Sequence, residues 1–371
     1  MEAGSEHRPP SSPGHSALLV RDNTSVLDLR TLGWDDGWAE AFALHRATRL
    51  EPGRVAVQHR GAYDVLTERG ELRAGLPARA RREIDSRAEL PVVGDWVALD
   101  QTQAARPTIR AVLPRRTKFS RRAAHEPGSD NVREQVVAAN VDVVFIVAAL
   151  SEQVSRSLLE RYLTLAWESG ARPVLLLTKT DLVPDVDETV AELAGLGIPV
   201  HGVSVRTGAG LEDVRSYLAP GVTTALLGPS GVGKSTLVND LAGEDLLATG
   251  SVRPDGSGRH TTTRRELIVL PGGGLIVDNP GMRELHLWVA SDGLEETFED
   301  IAALEAQCRF TDCGHESEPG CAVQAALGDG RLAQERWQRY RELERELAEL
   351  DEKLARRGRS RARRKRPGAG G

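Results

Sequence analysis

One nine-residue stretch constrains the fold of this chain more than any other. Residues 228–236 read GPSGVGKST, with the apolar run VTTALLG leading into them and the helix-forming run KSTLVNDLAG leading out. The stretch fits G-x-x-x-x-G-K-[ST] between a strand and a helix, the setting that a phosphate-binding loop requires. Its glycines let backbone N–H groups surround phosphate oxygens at a helix N-terminus, where the helix dipole favours negative charge. The sequence therefore predicts a nucleotide site.

The residues of this loop have distinct predicted roles. Lys234 is expected to reach the β- and γ-phosphates, and the Ser235 hydroxyl is expected to ligate the Mg²⁺ that accompanies the nucleotide. The predicted phosphate-loop residues are Gly228, Pro229, Ser230, Gly231, Val232, Gly233, Lys234, Ser235 and Thr236.

Two further stretches stand at the ends of predicted strands. TKTD (178–181) follows PVLLL, and DNPG (278–281) follows GLIV; ligands of open α/β sheets bind at such carboxyl ends. Asp278 suits a Mg²⁺ partner. Asp181 can accept the N1 and N2 hydrogens of guanine, which adenine lacks, while the Lys179 stem stacks on the ring. The stretch therefore predicts a preference for GTP over ATP.

Composition divides the rest of the chain. Five short β-like runs between residues 41 and 116 predict an OB-fold-like barrel, and the alternative is another small β module that only packs on its neighbour. From 135 to 290, near-continuous apolar runs alternate with helical segments, which is typical of a doubly wound α/β domain. A helical region follows. Its apolar stripe is predicted to be core packing, the alternative being a coiled-coil partner site. The stripe consists of Trp337, Tyr340, Leu343, Leu347, Leu350 and Leu354.

All three cysteines of the chain lie close together near a histidine. Cys308, Cys313, His315 and Cys321 offer three thiolates and one imidazole, the ligand set of a closed, structural Zn²⁺ site. An odd number of cysteines in one cluster argues against a disulfide framework. The cluster therefore predicts one structural zinc ion.

The remaining composition predicts a cytoplasmic protein. The longest apolar run, VDVVFIVAAL at 141–150, contains an aspartate and is too short to cross a bilayer. The first two dozen residues lack the apolar core of a secretion signal. Net charge is −6, but residues 356–366, RRGRSRARRKR, carry eight positive side chains. This tail is predicted either to contact nucleic-acid phosphates or to be a solvated, disordered end.

In motif order, the chain resembles the RsgA (YjeQ) family of circularly permuted GTPases. The order is TKTD, VSVRTG (203–208), the phosphate loop, GRHTTT (258–263) and DNPG, whereas an ordinary GTPase has the phosphate loop before the base motif. A cyclic shift keeps every strand of the sheet and relocates only the termini. The resemblance covers about residues 40–330, including VVGDWV in the β module, EQVVAANVD at 134–142 and the cysteine–histidine spacing.

The resemblance implies a GTP hydrolase that assists late maturation of the small (30S) ribosomal subunit. It implies binding of GTP and GDP with Mg²⁺, contacts to ribosomal RNA, stimulation by the subunit and a monomeric state. Two rival functions remain open, a stand-alone RNA-linked GTPase and a nucleotide-gated RNA-binding module that needs no ribosome.

The resemblance also assigns residues between the motifs. The expected base-side residues are Thr178, Lys179, Thr180, Asp181, Ser204 and Val205, with Thr178 where N-K-x-D has asparagine. Thr262 or Thr263 is expected to meet Mg²⁺ and the γ-phosphate, and Gly281 completes DNPG. His260 is the candidate for positioning the attacking water, the alternative being an ordinary loop histidine.

Intrinsic hydrolysis is expected to be slow. Met282 follows DNPG, where Ras-like GTPases have a glutamine that orients the attacking water, and a thioether cannot do this. The expected rate is on the order of 10⁻⁴ to 10⁻² s⁻¹.

The predicted organisation has six parts. They are a flexible N-terminal extension (1–40), an OB-fold-like β barrel (41–116), a linker (117–134), a circularly permuted α/β P-loop GTPase domain (135–290), a mostly helical zinc-binding domain (291–355) and a basic disordered tail (356–371).

Overall fold

Five short strands close into a barrel in the computed structural model, which describes residues 27–46, 49–77, 87–102, 107–122, 134–151, 154–247, 265–278 and 291–365. The strands are β1 (Glu51–Gln58), β2 (Ala62–Thr67), β3 (Gly70–Gly75), β4 (Trp96–Asp100) and β5 (Thr108–Val112). Their order is β1-β2-β3-β5-β4, and β4 also pairs with β1, which closes the barrel. The five predicted strands and the predicted barrel are thus present, around a core that includes Val65 and Leu99.

The described part of the predicted flexible extension is packed against this barrel. A 3₁₀ helix (Leu29–Leu32), α1 (Asp36–Ala41) and α2 (Ala43–Arg46) follow one another. The Asp35 carboxylate accepts a hydrogen bond from Trp38 N at 2.9 Å and caps α1. The Trp34 ring meets the buried Trp96 edge-on at 4.7 Å. Packing of these aromatic rings holds the segment against the barrel. The prediction of a flexible extension is therefore wrong for residues 27–40.

A two-stranded sheet replaces part of the predicted linker. β6 (Lys118–Arg122) pairs antiparallel with β7 (Glu134–Ala139), with Phe119 opposite Ala138. Phe119 is 2% exposed, so burial of this ring accounts for regular structure where the sequence predicts a connector.

A mostly parallel sheet forms the centre of the molecule. Its strands are β8 (Val143–Ala149), β9 (Arg172–Thr178), β10 (Val200–Val203), β11 (Thr223–Leu227), β12 (Glu266–Val269) and β13 (Leu275–Asp278). The order is β10-β9-β8-β11-β13-β12, with β12 antiparallel to β13. All residues of β8 are buried, because helices cover both faces of the sheet.

In the described part of this region, four helices connect the strands. They are α3 (Arg156–Ser169), α4 (Val186–Ala194), α5 (Leu211–Ser216) and α6 (Lys234–Ala242). The α3 helix begins after Ser155, whose hydroxyl accepts from Leu158 N at 3.4 Å, and ends at Gly170 with φ +83°. A serine cap at the start and a left-handed glycine at the end therefore set the bounds of this helix.

The barrel and the central sheet are continuous. β12 pairs antiparallel with β1, where Val57 lies opposite Glu266, so eleven strands form one sheet. Arg265, just before β12, donates from Nη1 to Gln58 Oε1 at 3.4 Å, and burial lowers the pKa of Arg265. The strand that joins the two units therefore lies directly after residues 248–264, which include GRHTTT.

The described C-terminal region contains four helices, and the first and last of them contact α3. They are α7 (Ser291–Thr297), α8 (Glu299–Glu305), α9 (Ala322–Gly328) and α10 (Gln334–Lys365). Trp337, Tyr340, Leu343 and Leu347 are buried, as the stripe predicts for these four residues. The backbone of α10 is helical to Lys365. Residues 356–365 therefore extend this helix, whereas the sequence predicts a disordered tail from residue 356.

A buried carboxylate fixes α10 to α3. Glu160 is 0% exposed and accepts from Arg336 Nη1 at 2.9 Å and from Arg339 at 2.5 and 3.2 Å. Arg336 also donates to Asp300 at 2.6 and 2.7 Å.

Among the described residues, no helix is both long enough and apolar enough to cross a membrane.

Candidate nucleotide site and metal centre

The sheet brings the predicted motifs to one edge. β10, β9, β8, β11 and β13 run parallel, so their carboxyl ends lie side by side. Ser204 follows β10, Thr178 ends β9, Gly228 follows β11 and Asp278 ends β13. Stretches up to one hundred residues apart in the chain therefore surround one position at the edge of the sheet.

The phosphate loop has the backbone that its glycines predict. Gly228 has φ +144°, and a Cβ there would lie 2.2 Å from Val147 O, so only glycine fits this approach to β8. Gly233 has φ +99° and leads into α6, whose first residue is Lys234. The loop thus ends at a helix N-terminus, which suits an anion.

The lysine of the loop is folded onto the loop itself. Lys234 is 9% exposed, and its Nζ donates to Gly228 O at 2.7 Å and to Pro229 O. Ser235 is half-buried in the first turn of α6, while Ser230, Gly231 and Thr236 are exposed. The ammonium is therefore held at the loop by carbonyl oxygens that a phosphate would replace.

Thr178 connects the base motif to the phosphate loop. Its Oγ1 lies 2.6 Å from Val232 O and 3.2 Å from Ala148 O. A hydroxyl has one proton, so it donates to the nearer oxygen, Val232 O. The residue that replaces the asparagine of N-K-x-D thus joins the two halves of the site.

Asp181 is oriented by the loop that follows β10. Ser204 Oγ donates to Asp181 Oδ1 at 2.7 Å, and Arg206 Nη1 lies 3.7 Å from Oδ2. Lys179 beside it has φ +60°, and Val205 is half-buried. Sequence reasoning did not select Arg206, although it stands inside VSVRTG.

The cysteine–histidine cluster has the geometry of a tetrahedral metal site. Cys308 Sγ lies 3.9 Å from Cys321 Sγ and 3.5 Å from His315 Nδ1, and Cys321 Sγ also lies 3.5 Å from that nitrogen. The ligand atoms of these three residues and Cys313 lie within 4.8 Å of one another. Bonds of about 2.3 Å to sulfur and 2.0 Å to nitrogen separate tetrahedral ligands by roughly 3.5 to 3.8 Å. The four side chains therefore fit Zn²⁺.

Neighbouring groups hold the cluster. His315 Nε2 lies 3.4 Å from Glu305 Oε1, and the Tyr340 hydroxyl donates to Glu305 Oε2 at 3.2 Å. Burial raises the pKa of Glu305. A carboxylate behind a histidine orients the ring toward a metal, and no pattern in the sequence identified Glu305 for this position.

Five residues singled out in the sequence lie outside the described part of the chain. They are His260, Thr262, Thr263, Gly281 and Met282. Thr180 is half-buried in the 3₁₀ turn after β9, and Asp278 ends β13.

Comparisons with known proteins show the family of this chain. A family model described as RsgA GTPase matches residues 112–288. A small ribosomal subunit biogenesis GTPase RsgA of Opitutus terrae is 46% identical over 87% of this chain and 90% of the relative. The Streptomyces coelicolor protein of the same name is 45% identical over 92% of this chain and 93% of the relative.

Two solved structures share the fold. The crystal structure of YjeQ from Thermotoga maritima superposes with a TM-score of 0.60 at 28% identity, covering 81% of this chain and 99% of that one. YloQ, described as a circularly permuted GTPase, has a TM-score of 0.57 at 26% identity, covering 83% and 97%. The motif order, the shared sheet edge and these relatives lead to one conclusion: the chain belongs to the RsgA GTPase family and has its circularly permuted GTPase fold.

Proposed function

We propose that this GTPase acts in late maturation of the small ribosomal subunit, which its GTP-bound form binds and its GDP-bound form leaves. One observation carries the nucleotide part of the proposal. Asp181 lies in the turn after β9, Lys234 begins the helix that follows β11, and the Thr178–Val232 hydrogen bond at 2.6 Å joins the two stretches. The ribosomal part is supported by the curated relatives, which are named for biogenesis of the small ribosomal subunit.

The phosphate side of the proposed site uses four described elements. Lys234 would leave the carbonyls of Gly228 and Pro229 and neutralise the β- and γ-phosphates, while the loop N–H groups bind their oxygens. Ser235 and Asp278 would hold Mg²⁺, which supplies positive charge between the phosphates. We assign Thr262 or Thr263 to the same ion, Gly281 to the γ-phosphate and His260 to the attacking water.

The base side of the proposed site reads guanine. Asp181 is held by Ser204 at 2.7 Å, and its carboxylate would accept the N1 and N2 hydrogens, while the Lys179 stem covers the ring. Adenine has no such pair of donors and would leave the carboxylate unpaired, which costs the wrong nucleotide much of its affinity. Thr180 and Val205 complete the wall of the pocket.

The flanking units are proposed to hold ribosomal RNA. Zn²⁺ on Cys308, Cys313, His315 and Cys321 would fix the loops between α8 and α9 without an open coordination position. The barrel continues the GTPase sheet through the β12–β1 pairing, and the arginine-rich end of α10 supplies positive charge for phosphates. We further propose that the protein acts as a monomer in the cytoplasm.

Cosedimentation tests this function. Zinc-loaded protein is mixed with purified small or large subunits in the presence of a non-hydrolysable GTP analogue, GDP or no nucleotide. Retention with small subunits and the analogue, and release with GDP, is the expected result. Lys234→Ala is the matched variant that should lose the nucleotide dependence. Equal retention by both subunits under all conditions would refute the ribosomal part of the proposal.

A further inference from the structure

A second cleft lies at the other end of the central sheet. It has a volume of about 310 Å³ and forms where the N-terminal segment, the barrel and the residues that precede β8 and β11 meet. Pockets for small ligands start at roughly this size, about 300 Å³. None of the residues assigned to the guanine or phosphate sites lines this cleft, so it is separate from the GTP site.

Aromatic rings and a guanidinium plane form its walls. Trp34 is half-buried and meets Trp96 edge-on, and the Arg116 guanidinium stacks over Trp38 with its centre 4.2 Å from the ring centroid. The Arg116 side chain is 47% exposed. Unpaired bases stack on such tryptophan rings and arginine planes.

The charges of the lining fit one phosphodiester. Arg30, Arg54 and Arg116 face two aspartates, Asp35 and Asp142, which leaves one positive charge in excess. A phosphodiester carries one negative charge, whereas a single terminal phosphate carries nearly two. A nucleoside triphosphate would therefore be undercompensated in this cleft.

The lining is fixed before any ligand arrives. Arg54 is 2% exposed and donates to Asn140 O at 3.0 Å, to Gly94 O at 3.3 Å and to Leu32 O. Arg116 makes two 2.6 Å hydrogen bonds to the Asp35 carboxylate. Groups that are already ordered lose little entropy on binding.

Two groups at the cleft are available to a ligand. Arg30 is exposed, and its guanidinium has no ion pair among the described residues. Asp142 is exposed and accepts Thr223 N at one oxygen, Oδ2, at 2.7 Å. A cation and a carboxylate that line the same cleft as aromatic rings match the phosphate and the donor edge of a nucleotide.

We propose that this cleft binds one unpaired nucleotide of a single-stranded RNA, with the base against Trp34 and the Arg116 plane and the phosphate on Arg30. The inference deepens the proposed contact with ribosomal RNA and rests on that function. It assigns the RNA contact to the seam between the N-terminal segment and the sheet.

Fluorescence anisotropy with a labelled eight-nucleotide single-stranded RNA tests the site in the zinc-loaded full chain. Trp34→Leu keeps apolar bulk but removes the stacking ring and should weaken binding by about tenfold. Arg30→Ala should weaken binding several-fold and reduce the slope of log affinity against log salt by about one. Arg215→Ala, an exposed arginine on α5 paired with Asp240, is the matched control and should bind like wild type.

A photoreactive base in the same RNA gives a second readout that does not depend on how well a variant folds. The wild-type crosslink is expected on the peptide that contains Trp34. The proposal is overturned if Arg30→Ala and Trp34→Leu both bind within twofold of wild type, or if the crosslink maps elsewhere. It is also overturned if a nucleoside monophosphate competes as tightly as the oligonucleotide, because the ligand would then be a free nucleotide.

Subunit-stimulated GTP hydrolysis separates this inference from the proposed function. If wild-type hydrolysis is stimulated but the cleft variants bind RNA normally, only the cleft assignment is refuted. If wild-type hydrolysis is not stimulated, the proposed function fails, while the anisotropy and crosslinking results still decide whether the cleft binds RNA.

Discussion

Replacing Glu160 by glutamine should detach the C-terminal helices from the GTPase domain. Glu160 is 0% exposed and holds Arg336 and Arg339 of α10, with Arg156 Nε at 3.8 Å. Glutamine keeps the shape of the side chain but removes the charge, so the arginines lose their buried counter-ion.

The size of the effect follows from the burial of these groups. Breaking a buried ion pair by removing one partner costs roughly 3 to 5 kcal/mol. Arg336 and Arg339 keep 18% and 19% of their side-chain exposure, and Arg336 retains Asp300, so we expect about 3 kcal/mol. Glu346→Gln is the matched control, because Arg161 and Glu346 are 32% and 38% exposed and such pairs contribute at most about 1 kcal/mol.

Urea unfolding of both zinc-loaded variants and of wild type measures these differences. Limited proteolysis under native conditions shows whether the loss is local to α10, since cleavage between α7 and α10 should increase only in Glu160→Gln. If Glu160→Gln costs no more than Glu346→Gln, the buried carboxylate does not fix the two regions to each other.

Other changes have equally direct expected results. Asp181→Asn should remove most of the preference for GTP over ATP in competition binding, while unchanged preference would place the base elsewhere. Thr178→Val leaves Val232 O without its hydrogen bond and should weaken GTP binding about fivefold, or about 1 kcal/mol, by calorimetry. Chelation of Zn²⁺ should abolish the cooperative unfolding of the C-terminal region, and readdition should restore it. Hydrogen bonds from Arg116 lower the pKa of Asp35 from 3.8 to about 2. The pair therefore stabilises the folded state above about pH 4, and this stabilisation is lost toward pH 2. Because both side chains are about half exposed, Asp35→Asn should reduce the free energy of unfolding by under about 1 kcal/mol at pH 7 and by less at pH 3.

Local patterns predicted the strands well, and they located the candidate nucleotide motifs at the ends of these strands. The phosphate loop needs glycine at fixed positions, and Gly228 at φ +144° against Val147 shows why. Apolar runs that end in TKTD and DNPG predicted strands β9 and β13, because a strand covered on both faces is apolar throughout. Each of these patterns lies within one short stretch of the chain.

Contacts between distant stretches had no such signal. Glu160 and Arg339 are 179 residues apart, and each reads in the sequence as an ordinary charge on a helix. The sequence predicts a linker at β6, because most residues of this strand are polar or charged and only Phe119 supplies a large buried side chain. The sequence also did not predict where helix α10 ends, because the arginine-rich stretch that continues this helix is compatible with both helix and disorder.

Steady-state GTP hydrolysis with and without purified small ribosomal subunits tests whether this protein is a GTPase that depends on the small subunit. We expect slow turnover by the zinc-loaded protein alone, on the order of 10⁻⁴ to 10⁻² s⁻¹. Small subunits should stimulate it strongly, and this stimulation should be absent in Lys234→Ala and absent with large subunits. Turnover that is the same with and without small subunits, in protein that binds GTP, would contradict it.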